Sequence, residues 1–405
     1  MTEPRWICCQ LGAREHYAVP RAMERRRALR ALITDAWARP ATWRRMLPGQ
    51  IGQKLGERYS AELAHASVID FTASLIWHEL LWRSRSLAGW SLVIERNRWF
   101  QHMAARAIAS MVVEPALSTV VFAHAYSARE VFRAAKTRGF RTVLGQIDPG
   151  AEHFRLVGDL AIRYPEYGGA PPPPPASYLA GWREECDLAD VIVVNSEWSG
   201  ALLRRAGVAV GKLRVVPLPY ETESPAPEFR RAYPAAFSQD RPLRVLYVGS
   251  ATVSKGVPLL LEAMSQLNDL PVRLDIAGDI AVTVPQRFRE HPSITWHGPL
   301  TRSEVMEKYR NADVLVFPSL SDGFGMAQVE AQGWQLPIIA SRWCGQVVTP
   351  HVNGMLLDEV SAASIAASLR TIAADPSALS RWAAQCRPPS NIDEFGRALA
   401  AVAAA

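Results

Sequence analysis

Asp322 and Glu330 stand eight residues apart in a run that reads Asp322-Gly-Phe-Gly-Met326 and continues to Gly333. Ionised carboxylates only accept hydrogen bonds, so this pair suits the hydroxyl groups of a sugar or ribose. Between them, Gly323 and Gly325 flank Phe324, letting the backbone come close to a ligand with its N–H groups free to donate. The apolar, β-branched run Asp313 to Phe317 just upstream reads as a buried strand emptying into this loop, and Met326 to Gly333 reads as a short helix. A helix start adds a positive dipole end and further unpaired donors, so strand, glycine loop and helix together make an anion cradle. An ordinary strand-to-helix crossover with a solvated Asp and Glu fits these residues equally well on their own.

Two other residues stand where chemistry is plausible. Lys255 immediately precedes Gly256 to Leu267, whose apolar residues recur at helical spacing. A helix dipole disfavours a cation at that point, so the placement makes sense if an anion is shared between lysine and helix. His124 ends the strand-like run Thr119 to Ala123, and open parallel sheets bind ligands at that end of their strands. A lone histidine there is as easily structural.

The elements around these residues alternate. Strand-like runs at Trp6 to Cys9, Thr119 to Ala123, Arg141 to Gly145, Asp190 to Val194 and Leu213 to Val216 fill the first half. Leu243 to Val248, Val272 to Ala277, Ile294 to Gly298, Asp313 to Phe317 and Leu336 to Ala340 fill the second, with helical segments between. Such alternation predicts parallel, doubly wound α/β sheets in both halves. Pro171 to Pro175 predicts a stiff extended loop, and a proline-rich stretch at 217–242 reads as a linker.

At 405 residues the chain fits two domains, and 49% hydrophobic with 21% charged residues suits large buried cores. No apolar run reaches the ~18 residues of a membrane-spanning helix, and the first residues lack a signal-peptide pattern, so a cytoplasmic location is expected. Five scattered cysteines with no C-x-x-C pair read as reduced core fillers. The net charge of +6 is concentrated: Arg21 to Ser60 holds 10 Lys and Arg against 3 Asp and Glu. Within it, Trp37, Trp43, Met46 and Leu47 interleave with Arg39, Arg44, Arg45 and Lys54, a mixture that suits peripheral membrane contact through Arg21 to Arg58 or a flap over a cleft. No motif for nucleic-acid readout accompanies it, and no nucleic-acid partner is expected.

Taken in order, Gly249-Ser250-x4-Lys255-Gly256, Ile276-Ala-Gly-Asp279, Gly298, Asp313 to Ser319 and Asp322-Gly-Phe-Gly-x4-Glu330-Ala resemble the C-terminal half of retaining glycosyltransferases of family 4. The resemblance implies a GT-B fold, two Rossmann-like domains facing across a cleft. It divides the chain into a first domain at 1–216, the linker, a nucleotide-sugar domain at 243–375, and C-terminal helices at 376–405 that pack back on the first domain.

The resemblance further implies transfer of a sugar, with retention and without metal, from a UDP- or GDP-linked donor to an alcohol acceptor. No cofactor beyond that co-substrate is implied. Glu330 would bind the ribose, Asp322 the transferred sugar, and Gly323, Phe324, Gly325 and Met326 would offer backbone donors. Lys255 would hold the diphosphate and His124 would touch the donor sugar, with Gly12, Ser250 and Gly298 completing the donor site. The chain departs from the family pattern at Gly12-Ala-Arg-Glu15, where Gly-Gly-Ala-Glu is expected, and at Ser250, where an arginine commonly partners the lysine. Arg14 is one candidate to replace that charge. A nucleotide-sugar-binding protein without transferase activity is the alternative those departures leave open.

Overall fold

The computed structural model describes residues 3–38, 58–112, 119–169, 171–221 and 229–404. Arg5–Gln10 (β1), Leu29–Thr34 (β2), Val68–Asp70 (β3), Thr119–His124 (β4), Arg141–Gly145 (β5), Val191–Val194 (β6) and Leu213–Val215 (β7) form one sheet. Leu243–Val248 (β8), Val272–Ala277 (β9), Ile294–Gly298 (β10), Val314–Phe317 (β11), Ile338–Ala340 (β12) and Gly354–Leu356 (β13) form the other. The orders are β3-β2-β1-β4-β5-β6-β7 and β10-β9-β8-β11-β12-β13, and every pairing is parallel. Strand order therefore reverses between β1 and β4 and again between β8 and β11. In open α/β sheets the crevice outside the strand ends at such a reversal is where ligands bind.

Both sheets are covered on both faces, which is why their central strands are nearly continuous apolar runs. Trp6 to Cys9 in β1 and Val314 to Val316 in β11 are fully buried. The helix Val257–Ser265 starts from Gly256 with Pro258 in its first turn, where the missing N–H costs nothing. Ser196 caps the helix Glu197–Arg205, its hydroxyl accepting from the Ser199 N–H. Pro171 to Pro175 carries neither helix nor strand.

Residues 229–242 carry no helix or strand but fold onto the second domain. Phe229, Tyr233 and Phe237 pack on its clusters, and the Arg231 guanidinium donates to the carbonyls of Trp334 (2.8 Å) and Ala312 (2.5 Å). The expectation that all the C-terminal helices return to the first domain is corrected for one of the two. Ala378, Leu379 and Trp382 of Pro376–Gln385 bury into the second-domain core, while Ile392, Phe395 and Leu399 of Ile392–Ala404 join Trp6, Tyr17 and Met23 in the first. Each helix follows the apolar face it presents.

Asp313, just ahead of β11, ties this frame together from a fully buried position. Its carboxylate accepts from both Arg241 guanidinium nitrogens at 2.7 Å and from the Arg244 N–H at 2.9 Å. Burial pushes its pKa up, but the Arg241 and Arg244 hydrogen bonds outweigh that and hold it below the usual carboxylate range. Its contribution to stability is thus present at neutral pH and lost as acid drives the pH down through that depressed value. Asp313→Asn should cost on the order of 2–3 kcal/mol at neutral pH, because both guanidinium groups lose their counter-charge. Urea unfolding of the two proteins at neutral and strongly acid pH checks this; the difference should shrink in acid.

Of the basic segment, Arg21 and Arg25 pair with Glu62 and Glu221, Arg26 with Glu3, and Arg58 with Asp35. Arg39, Arg44, Arg45 and Lys54, on which the membrane reading leans, lie outside the described residues. No helix among the described residues is long and apolar enough to cross a membrane.

Candidate functional site

The loops after β8 and β11 meet at the second sheet's reversal point. Ser254 holds them together, its carbonyl accepting the Leu320 N–H at 2.7 Å. This brings Lys255 and Asp322, 67 residues apart, into an ion pair. The pair is partly shielded, with the carboxylate side chain only 12% exposed. The Asp322 N–H is spent on the Trp343 carbonyl at 2.9 Å. The N–H groups of Gly323, Phe324, Gly325, Met326 and Ala327 find no acceptor among the described residues. They are the unpaired donors of the turn entering the helix Met326–Gly333. Gly325 makes that turn at φ +89°, with the Phe317 ring 2.4 Å from where a Cβ would stand, so only glycine fits.

The remaining second-domain candidates spread outward from this pair. Glu330 lies further along the same helix, its carboxylate accepting from the Tyr309 hydroxyl at 2.7 Å. Burial raises its pKa. Ser250 is exposed at the end of β8, its carbonyl accepting from Tyr247 Oη at 2.9 Å. Gly298 ends β10, where its carbonyl accepts the Gly278 N–H at 2.9 Å.

Across the cleft, the first sheet's reversal point supplies Gly12 and His124. The Gly12 N–H is committed to Asp35 Oδ1 at 2.9 Å, and Asp35 is held in turn by Arg58. Glu15, His16 and Tyr17 follow with φ of 46°, 51° and 61°, a left-handed turn that costs side-chain-bearing residues roughly 1–2 kcal/mol each. It carries Glu15 into a small cavity beside His124, Gln146 and Asn195, where burial raises the Glu15 carboxyl. His124 is buried, and neither ring nitrogen makes a hydrogen bond among the described residues. Burial first, and the nearby Arg14 cation second, hold its pKa down to about 3, so the ring is neutral throughout the physiological range. A buried, unpaired imidazole is a group awaiting a partner.

The two walls touch around the Asp322 loop. Ser196 and Ser199 hydroxyls donate to the Gly323 carbonyl at 2.7 and 3.1 Å, and the Trp198 and Trp343 rings meet at 4.8 Å. Trp198 Nε1 donates to Ser321 Oγ at 3.2 Å, and His153 Nδ1 lies 2.9 Å from the same oxygen. Asp148, in the loop after β5, accepts from Tyr126 Oη (2.8 Å), Gln146 Nε2 (3.0 Å) and the Gly150 N–H (2.8 Å). His153, Ser321 and Asp148 were not legible as site residues; the one available signal was the Asp148-Pro-Gly150 break after a strand. A second cavity, of about 390 Å³, lies outside this cleft between the helices Gly89–Ser110 and Ala176–Leu188 and contains none of the expected residues. Among the described residues no three His, Cys, Asp or Glu side chains gather as a metal-binding group.

Comparison with known proteins bears on this geometry. Residues 242–375 match the family described as glycosyl transferases group 1. Among curated proteins, the chain is 28% identical over 251 residues to a D-inositol 3-phosphate glycosyltransferase of Xylanimonas cellulosilytica, covering 57% of this chain and 60% of that one. It is 30% identical over 238 residues to the protein of the same name from Mycolicibacterium vanbaalenii, covering 53% and 52%. The match thus spans about half the length of these relatives. Among solved structures, sucrose-phosphate synthase from Thermosynechococcus elongatus superposes with a TM-score of 0.64 at 18% identity over 99% of this chain and 96% of that one. HepE of Anabaena in complex with UDP-glucose gives 0.62 at 14% identity over 99% of each. At such identities the superpositions speak for the fold alone. The chain therefore has the GT-B fold, and its second domain is similar in sequence to the group 1 glycosyltransferases.

Proposed function

We propose that the protein is a retaining glycosyltransferase that moves a sugar from a nucleoside diphosphate sugar to an alcohol acceptor. The observation that carries this reading is the Lys255 and Asp322 pair beside five amide N–H groups that have no acceptor among the described residues, at the β8/β11 reversal point. Charge develops on the departing diphosphate as the sugar becomes cation-like, and preorganised donors at the leaving group are what such a step needs. A lysine ~4 Å from a phosphate oxygen contributes on the order of 4 kcal/mol at an effective dielectric of 20, before solvation costs are subtracted. With helix-end donors and Lys255 serving that role, the reaction needs no metal ion in this proposal. The acceptor attacks from the leaving-group face, and the departing phosphate takes its proton. The curated relatives are named for transfer to an inositol phosphate, and HepE was solved with UDP-glucose, which makes UDP-sugars the first donors to try and GDP-sugars the second.

His124 is assigned to the donor sugar, because its ring is neutral, buried and unpaired at the first sheet's reversal point. His124→Ala should lower kcat for sugar transfer by about 10- to 100-fold with little change in nucleoside diphosphate affinity. Incubation with UDP-, GDP- and ADP-sugars, following release of free sugar and nucleotide, tests the whole reading. Failure to turn over or bind any of them would sink it. Proton NMR of the product separates retention from inversion. Contact with an anionic membrane surface would rest on Arg39, Arg44, Arg45 and Lys54.

A further inference from the structure

His153 occupies the wall of the cleft opposite Lys255, and nothing above uses it. It is the third residue of the helix Ala151–Arg163, which starts at Gly150 after the Asp148 turn, and its N–H donates to the Gly150 carbonyl at 3.0 Å. Its Nδ1 lies 2.9 Å from Ser321 Oγ, next to Asp322 in sequence, so the ring spans the two domains. Trp198 Nε1 can only donate, and it donates to that same oxygen. No other acceptor for the Ser321 hydroxyl proton is found among the described residues, so it satisfies itself by donating to His153 Nδ1. In a neutral imidazole that places the ring proton on Nε2. Nε2 makes no hydrogen bond among the described residues and is not fully enclosed.

The charges facing this ring are Asp148 from its own loop and Lys255 and Asp322 from the opposite domain. Lys255 is already neutralised by Asp322, so this part of the cleft carries no net cation to meet a diphosphate. We propose that His153 is a donor-binding residue that takes up a proton on Nδ1 as the diphosphate of a nucleotide sugar enters: Nε2–H donates to the ligand, and Ser321 Oγ turns from donor to acceptor of the new Nδ1–H. This rests on the donor reading given above. Burial, ahead of every other influence, holds the free imidazole below its ordinary pKa, with Lys255 adding to the effect and Asp148 and Asp322 opposing it. A bound diphosphate brings negative charge beside the ring and favours the imidazolium. Between the free and bound pKa values, binding therefore consumes a proton and tightens as pH falls.

The test is calorimetric titration with UDP-glucose, GDP-glucose and ADP-glucose, whose diester phosphates do not titrate near neutrality. The binding one is then repeated in two buffers of different ionisation heat. The wild type should take up a fraction of a proton approaching one, and its Kd should tighten by roughly tenfold from about pH 8 to about pH 6. His153→Gln should bind with no proton uptake and a flat pH profile. Ser321→Ala should keep the uptake while weakening binding by roughly threefold to tenfold, as expected for a lost anchor. Wild-type binding without uptake, or uptake retained in His153→Gln, overturns the proposal while leaving the donor reading intact. No binding of any nucleotide sugar overturns both. Should His153→Gln not fold, the imidazole nitrogen shifts of the wild type decide the matter: they must move toward the imidazolium pattern when donor is added, and unmoved shifts overturn the proposal.

Discussion

Lys255→Ala is expected to lower turnover of a nucleotide sugar at least ~100-fold, the usual loss when one stabiliser of a developing anion is removed. In the free protein this lysine is bound to Asp322, so it must exchange a carboxylate for a phosphate when donor arrives. The replacement leaves the shielded Asp322 without its cation, and a carboxylate beside an incoming diphosphate repels it. Both effects act in the same direction, and kcat/KM should fall further than kcat. Asp322→Asn separates them: freed of its partner, Lys255 should bind nucleoside diphosphate more tightly, while transfer falls because the sugar loses an acceptor. Steady-state kinetics and product-nucleotide affinity on folded variants check the set, and unchanged turnover in Lys255→Ala would remove the lysine from the mechanism.

Gly256→Ala should be as damaging, for a steric reason. Gly256 sits at φ +75°, and a Cβ there would stand 2.0 Å from the Pro318 carbonyl oxygen and 2.9 Å from its carbon. A backbone carbonyl cannot swing aside as a side chain does, so the two loops that carry Lys255 and Asp322 must part. Together with the left-handed backbone, this should cost on the order of 3 kcal/mol or more. Thermal unfolding should show a clear drop in Tm, and any folded fraction should be nearly inactive. A variant with wild-type Tm and wild-type turnover would show that the contact of these loops does not matter.

Legibility followed local pattern. β5, β8, β9 and β11 were readable because each is a β-branched or apolar run that meets a glycine or proline, and β4 because Val120 to Ala123 is unbroken apolar. β2 and β3, and the helices Thr72–Ser84 and Gly89–Ser110, were not: Leu29-Arg-Ala-Leu-Ile-Thr34 follows the helix Ala18–Arg25 with no glycine or proline between them, and Trp82 and Trp99 are interleaved with charged neighbours. β13 has three residues and is a strand only because β12 lies beside it. The glycine loop, Lys255 and Glu330 were found because several short motifs recur in a fixed order. The pairing of Lys255 with Asp322 was not, since each had been assigned to a ligand and nothing local links positions 67 apart. His153 escaped for the same reason, as its meaning lies in a serine 168 residues downstream.

The chain crosses between the domains twice, once after Val216 and once before Ile392. Where the crossings run side by side, the Tyr220 N–H donates to the Ser390 carbonyl at 3.0 Å. Two adjacent tethers leave the lobes free to swing like the covers of a book but not to slide apart or twist about a single strand. The spine of such a swing runs through Tyr220 and Ser390, and the contacts of His153 and Trp198 with Ser321 would have to open with it. Cutting either tether would add a rotational freedom that the remaining one does not restrain.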